Sequence, residues 1–269
     1  GYWLAIISAL TYFGMFDFSL GMSLTHAISS VSREKTKKLN QLINTGLVSL
    51  VLLGFLILIA GYLVSFFIDN IFNISSVHKY DIILSFRLLV VGLAISLPFN
   101  VFSSILVGFN YLSLEKNIKE GVRFVGILFS IILVVSGFGV IGLAIANLFT
   151  IVCTGVILLY YSKFIYFKEF ALSFKGFQKS IVKKLLSYGG LFQFGKIANT
   201  ISYSADTIII GIFLFGSEIT IYTISSKLAI LIGIAFMSKL PGAYFPTLSK
   251  LFSQKDYNSL RNITKNILS

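Results

Sequence analysis

The chain has 269 residues, of which 56% are apolar and only 12% are charged. A soluble domain usually carries about 25% charged residues, so this sequence cannot supply the polar surface that a soluble fold of this length needs. Cys153 has no cysteine partner, and His26 and His78 lie far apart without other ligands at metal spacing, which excludes a disulfide framework and the usual metal motifs. We therefore expect lipid to be the solvent for most of the chain, and we expect neither a cofactor nor a metal.

Apolar runs follow one another along the chain, each close to the length of about 20 residues that a helix needs to cross a bilayer. The runs are too long for the strands of a membrane barrel and lack their period-two alternation. The sequence therefore predicts an all-α, polytopic bundle of transmembrane helices. The seven predicted spans are residues 2–28, 42–67, 82–109, 118–136, 140–161, 187–214 and 219–247.

Basic residues concentrate in the connections after the first, third, fifth and seventh spans. The other three connections contain one lysine, Lys79, together with a few acids. Because basic loops remain in the cytoplasm, the first span is predicted to run from outside to inside, and each later span agrees. The net charge of +12 is then a set of anchors for anionic headgroups, not a nucleic-acid surface. These anchors are Arg33, Lys35, Lys37, Lys38, Lys116, Lys119, Arg123, Lys163, Lys168, Lys175, Lys179, Lys183, Lys184, Lys250, Lys255, Arg261 and Lys265.

The connection over residues 162–186 divides the chain. Aromatic residues alternate with lysines there, as expected for an amphipathic segment on the inner leaflet, which we interpret as a cytoplasmic linker. We predict an N-terminal helix bundle over residues 1–161 that lacks its first helix, and the start of a C-terminal bundle over residues 187–269. Weak similarity between the two ends of the chain, at an offset of about six spans, favours a parallel repeat of the kind found in transporters.

Basic residues also occur inside the predicted spans, at Arg87, Lys196, Lys227 and Lys239. A charge at mid-membrane costs at least about 2.5 kcal/mol, so it normally faces a bundle interior or a wet cavity. Snorkelling to the interface is the alternative, and it applies most to Lys239. Lys196 and Lys239 are expected at similar depth, where two like charges repel unless an anion or water lies between them. We interpret the four as candidates for the path of a phosphate-bearing substrate.

Two acids, Asp17 and Asp206, also lie within predicted spans. Asp206 and Lys227 are expected at similar depth on neighbouring helices, so an ion pair is the ordinary interpretation, and coupling to a cation or proton is the alternative. Asp17 lies between Gly14 and Gly21, which let helices approach closely. A hydrogen bond to a neighbouring helix is its ordinary interpretation.

Three segments resemble the polysaccharide flippase family of the multidrug/oligosaccharidyl-lipid/polysaccharide exporter superfamily. Residues 2–21 are similar to the second helix of that family, including the pattern Phe16-Asp17-Phe18-Ser19-Leu20-Gly21, although Ser19 stands where the family often has glycine. Residues 206–227 resemble the hairpin that opens the second half, and residues 246–249 with the charged turn after them also match. The resemblance extends from about the second helix of the family to the eighth.

This resemblance implies a fold of two six-helix bundles that face each other in a V. It implies a transporter of the bacterial cytoplasmic membrane, whose substrate is an oligosaccharide repeat unit on undecaprenyl pyrophosphate, flipped to the outer leaflet by alternating access. It also implies polysaccharide polymerase and chain-length proteins as partners, besides membrane lipids. Whether the product is O-antigen, capsule or another exopolysaccharide stays open, as does the coupling ion.

Other functions compete with this interpretation. A drug or cation antiporter of the same superfamily usually needs cavity acids, whereas basic residues are in excess here. A lipid II flippase would be expected to carry more arginine than Arg87 alone. A membrane enzyme, such as a polymerase or a lipid-linked glycosyltransferase, usually carries a large extramembrane loop, and the outer connections here are short. A structural scaffold does not explain four buried cations.

Overall fold

The computed structural model describes residues 2–31, 35–68, 79–166, 177–213 and 219–226, and these residues are helical apart from their connections. The helices are α1 (Tyr2–Phe13), α2 (Leu20–Ser29), α3 (Thr36–Val64), α4 (Lys79–Gly108), α5 (Leu112–Leu133), α6 (Gly139–Tyr160) and α7 (Lys179–Phe213). A 3-10 turn, Gly14–Asp17, follows α1, and π-helical turns, Val134–Phe138 and Tyr161–Tyr166, follow α5 and α6. These elements match six of the predicted spans, and residues 219–226 begin the seventh.

Contacts divide the chain into two compact units, Gly1–Ile219 and Thr220–Ser269. The helices α1 to α7 belong to the first unit. In the second unit the structure describes residues 220–226, which are helical. The predicted bundle boundaries at residues 161 and 187 stay a prediction, and the later half of the internal repeat lies outside the described residues.

Two cores occupy opposite ends of the first unit. One contains Leu24 and Ile28 of α2, Leu39 at the start of α3, Ile105 near the end of α4 and Leu185 near the start of α7. The other contains Ile6 of α1, Ile68 just after α3, Ile82 and Phe86 near the start of α4, and Ile219. Successive helices therefore run antiparallel, and the described residues of the basic connections gather at one end, as the loop pattern predicts.

Two glycines with positive φ, Gly137 and Gly139, reverse the chain between α5 and α6. Gly137 has a φ of +91°, and Gly126 on α5 lies against Thr150 on α6, so the two helices fold back on each other. A residue with a side chain is strained at positive φ, whereas glycine adopts it freely. The predicted fourth and fifth spans are therefore separate antiparallel helices joined by a tight turn.

Gly137→Ala is expected to destabilise the protein by about 1–2 kcal/mol, the cost of a left-handed conformation for an L-residue. Gly121 on α5 is the matched control: a Cβ there meets open space, so Gly121→Ala should raise stability by up to about 1 kcal/mol through helix propensity. Thermal unfolding of the full-length protein in detergent measures both. Equal midpoints for the two variants would contradict this account of the turn.

Apolar side chains cover the outer faces of these helices. Among the described residues, α3, α4 and the stretch over residues 112–164 are long and apolar enough to cross a membrane, and α1 with α2 qualify together as a span bent by 43°. Large side chains such as Phe55, Phe124 and Ile132 are more than half exposed in the bundle. Such a surface needs lipid around it.

The helix α7 differs from these spans. It is not among the helices that qualify by length and hydropathy, because polar residues such as Gln193, Lys196 and Thr200 interrupt its apolar sequence. It begins at Lys179, earlier than the predicted Ser187, so the last residues of the predicted linker form its first turns. It packs against α1, α2 and α3.

Candidate functional site

The first predicted span is not one continuous helix. After the 3-10 turn, Phe18 and Ser19 take left-handed conformations with φ of 49° and 50°, and α2 begins at Leu20. Such a break frees backbone carbonyls, which lipid cannot satisfy. Non-glycine residues rarely adopt positive φ, and where they do the surrounding structure must hold them there. The break is therefore a built feature that needs partners from another helix.

One face of α7 supplies those partners. Gly189, Gln193 and Lys196 are spaced four and three residues apart, which places them on one side of a helix. Gln193 donates to the Met15 carbonyl, and Lys196 Nζ donates to the Gly14 carbonyl at 2.8 Å. The Ser19 hydroxyl donates to Gln193 Oε1 at 3.1 Å. These bonds join the freed groups of the break to α7.

Gly189 permits this close approach. A Cβ built on it would lie 2.4 Å from the Phe18 carbonyl oxygen and 2.7 Å from the Ser23 hydroxyl. Both distances are too short for real atoms, and one of the two partners is backbone that cannot rotate away. Glycine at this position is what allows α7 to pack directly on the break.

Asp17 and Lys196 form an ion pair at the centre of this contact. Lys196 Nζ lies 2.8 Å from Asp17 Oδ1, and the same oxygen accepts the Ser19 backbone N–H at 2.9 Å. The Asp17 side chain is 20% exposed and that of Lys196 is 38% exposed, so the described helices enclose neither side chain completely. The pair thus combines a fixed acid with a cation that remains accessible.

Two open cavities flank the pair. A cavity of about 650 Å³ lies between α2, α4 and α7, and a second of about 400 Å³ lies between α1, α4, α6 and α7. Asp17, Lys196 and Asn100 line both of them. The larger cavity is polar for a membrane interior. Its polar side chains are Asp17, Ser19, Thr25, Asn100, Ser103, Ser104, Lys196 and Thr200.

The other residues singled out in the sequence lie elsewhere. Arg87 on α4 donates to the Ser65 hydroxyl at 3.0 Å and stacks over Tyr62 and Phe66, with its guanidinium carbon 4.8 Å from the Tyr62 ring centre. It lines neither cavity described above. Asp206 is an exposed residue of α7. Lys227 and Lys239 lie outside the described residues, so the proposed Asp206–Lys227 and Lys196–Lys239 relationships stay predictions.

The structure also brings together residues that the sequence did not single out. Gln193 bonds to the break and Gly189 packs against it. Their spacing of three and seven residues from Lys196, on one face of a helix, is the sequence feature that could have predicted these contacts. Glu115, 5% exposed, accepts from the Ser103 hydroxyl at 2.5 Å and pairs with Lys119, four residues along α5. Lys119 is one of the predicted loop anchors, and in the structure it also pairs with this buried acid.

The fold and this site together define a class. The chain is a multi-pass, all-helical membrane protein with a broken span, and it has the fold of a solved structure titled as the inward-facing conformation of a multidrug resistance MATE family transporter of the MOP superfamily. That similarity has a TM-score of 0.72 at 20% identity and covers 97% of this chain and 61% of the other.

Sequence comparison then gives the family. A family model described as polysaccharide biosynthesis protein matches residues 4–269, and the chain belongs to this family. A curated sequence from Shigella flexneri, named as an O-antigen transporter, is 24% identical over all of this chain. The chain spans 62% of that protein's length. The resemblance found in the sequence is thereby confirmed.

Proposed function

We propose that the full-length protein is a transporter, not an enzyme, that flips oligosaccharide repeat units on undecaprenyl pyrophosphate across the bacterial cytoplasmic membrane by alternating access. The observation that carries this proposal is Lys196, an accessible cation held by Asp17 at a helix break between two cavities. Membership of a polysaccharide biosynthesis family and similarity to a protein named as an O-antigen transporter support the substrate class.

The geometry suits a pyrophosphate head. An ammonium group has three N–H donors, and Asp17 with the Gly14 carbonyl takes two of those on Lys196, which leaves a donor for a ligand oxygen. An anion that approaches from either cavity can also compete with Asp17 for the lysine, because both are oxygen acceptors of negative charge. The hydroxyl and amide groups of the larger cavity can bind sugar hydroxyls.

The same pair suggests how binding could bias the conformation. When an anion draws Lys196 away from Asp17, the links between α7 and the freed carbonyls at residues 14 and 15 weaken. A ligand shifts an equilibrium only by its differential affinity for the two states. We propose that α7 contacts the break in one of the two conformations of alternating access. Bound pyrophosphate would then lower the population of that conformation.

Orientation follows from the loop charge. The described lysines of the basic connections gather at one end of the bundle, and that end is assigned to the cytoplasm. The substrate then enters at this end and leaves at the other, toward the outer leaflet. Polymerase and chain-length proteins are proposed as partners that receive the product.

A drug or cation antiporter is the second candidate, because the fold is that of a multidrug MATE transporter and Asp17 lines both cavities. In that case Asp17 would carry the coupling proton or bind a cationic substrate. Asp206, exposed on α7, would be the second acid to test.

The test uses the full-length protein in proteoliposomes that contain an undecaprenyl-pyrophosphate-linked oligosaccharide on the inner leaflet. We expect protein-dependent exposure of the sugar to an external glycosidase, inhibited by an excess of the same lipid-linked substrate. Protein-free vesicles give the background. Absence of exposure, together with uptake of an organic cation by the same vesicles, would replace the flippase by the antiporter.

A further inference from the structure

A basic cavity, separate from the two beside Asp17 and Lys196, lies at the end of the bundle that carries the loop lysines. It has a volume of about 570 Å³ and lies between α2, α3 and α7. Lys38 at the start of α3 and Lys183 and Lys184 at the start of α7 line it, together with His26, and none of the described residues that line it is an acid. Three cations from two helices thus converge on one space, and no carboxylate joins them among the residues that the structure describes.

The floor of this cavity is apolar. Leu42, Leu185, Ala27, Val31 and Ile181 line it, and Leu185 is only 3% exposed. On one wall the rings of His26 and Tyr188 stack at 4.2 Å with an angle of 19° between their planes. A cavity with a cationic rim and an apolar, aromatic interior is complementary to a phosphate group attached to a hydrocarbon chain.

This cavity lies on the same pair of helices as the Asp17–Lys196 site. The basic cavity is lined by residues of α2 from Ser23 onward and by residues of α7 within 180–188. The larger polar cavity is lined by residues farther along α7, from Phe192 to Thr200. At 1.5 Å per residue, Lys184 and Lys196 are about 18 Å apart along α7. Between them Gly189 closes on Phe18 and Ser23.

We propose that this basic cavity is an entry site that binds the pyrophosphate and first isoprenoid units of the lipid carrier before the pyrophosphate passes to Lys196. The inference rests on the proposed flippase function and adds a site to it. In this scheme Lys38, Lys183 and Lys184 hold the pyrophosphate at the cytoplasmic end. The contact of Gly189 with Phe18 and Ser23 lies between the basic cavity and Lys196. Transfer of the pyrophosphate from one site to the other therefore requires α7 to move away from the break.

Binding, not transport, tests the site. The full-length protein is placed in nanodiscs of phosphatidylcholine, and geranylgeranyl pyrophosphate is titrated as the isoprenyl probe. The variant Lys38→Gln/Lys183→Gln/Lys184→Gln should bind it about tenfold or more weakly, since each lysine near an anionic headgroup contributes appreciably to binding. The matched control is Lys37→Gln/Lys116→Gln/Arg123→Gln, which removes three exposed charges that do not line the cavity and should bind within about threefold of wild type.

Replacing the same three lysines by arginine should preserve binding, because the charge is kept. Competition against geranylgeranyl pyrophosphate distinguishes an isoprenyl pyrophosphate from other phosphate-bearing ligands. Inorganic pyrophosphate should compete weakly, since it lacks the chain, and phosphatidylglycerol should compete weakly, since it carries one phosphate.

Equal binding by the glutamine variant and its control would overturn the site. Full competition by inorganic pyrophosphate would overturn the lipid assignment, and full competition by phosphatidylglycerol would make the cavity a site for bilayer lipid instead. Failure of the glycosidase assay with lysine-dependent binding intact would instead reject the flippase function and leave the isoprenyl-pyrophosphate site standing.

Discussion

Lys196→Met is expected to abolish transport of the lipid-linked substrate and to lower stability by about 1–3 kcal/mol. Removing one partner of a buried pair costs about 3–5 kcal/mol, and the partial exposure of Asp17 and Lys196 reduces this figure. The loss arises because the Asp17 side chain keeps only the Ser19 N–H as a donor among its described contacts. Thermal unfolding and the glycosidase assay on the full-length protein measure the two effects.

The double variant Asp17→Asn/Lys196→Met separates structure from function. Neutralising both partners should recover most of the lost stability, because no unpaired charge remains. Transport should stay absent, because the proposed anion ligand is still missing. Recovery of transport with stability would show that the pair is only structural and would remove Lys196 from the substrate path.

Lys119→Met is the control that separates a loss of stability from a specific loss of transport. Lys119 is 43% exposed, close to the 38% of Lys196, and it also pairs with an acid, Glu115. Unlike Lys196, it lines neither of the cavities beside Asp17. This variant should lose stability and keep its turnover per folded molecule. A transport defect as large as that of Lys196→Met would mean that the assay reports folding.

Gly189→Ala is expected to have the second large effect. Its Cβ would clash with the Phe18 carbonyl oxygen at 2.4 Å, so α7 must move away from the break, at a cost of about 1–3 kcal/mol for overpacking. That movement also lengthens the bonds from Gln193 and Lys196 to the freed carbonyls. We expect a lower unfolding midpoint and at least a tenfold loss of transport, the order of effect that small misplacements cause at functional sites.

The neighbouring glycine gives the control in the same turn of the same helix. A Cβ on Gly190 meets nothing within 4 Å, so Gly190→Ala adds a methyl group to open space. Helix propensity should then raise stability by up to about 1 kcal/mol, with transport unchanged. If Gly189→Ala and Gly190→Ala behave alike, the close packing of α7 on the break is not needed for function.

Part of the site could be anticipated from residue type alone. Asp17 and Lys196 were singled out because charges inside an apolar span must find water or a partner. Their pairing with each other was not anticipated, because the two residues lie on spans far apart in the sequence. Depth arguments could compare only the sixth and seventh spans, which share a hairpin. Gln193 was missed because an uncharged amide carries a weaker penalty in lipid and so stands out less.

The chain's sequence by itself determined the helices, their antiparallel order and the end at which the basic residues gather. These follow from composition, since a backbone in lipid must satisfy its own hydrogen bonds and therefore forms apolar helices of bilayer length. Only the tertiary structure decided that the first span breaks at Phe18 and Ser19. It also decided that α7 packs on the break at Gly189 and donates hydrogen bonds to it from Gln193 and Lys196. The reason is physical: two left-handed residues are unfavourable in isolation, and they persist only where a second helix supplies donors to the carbonyls that the break exposes.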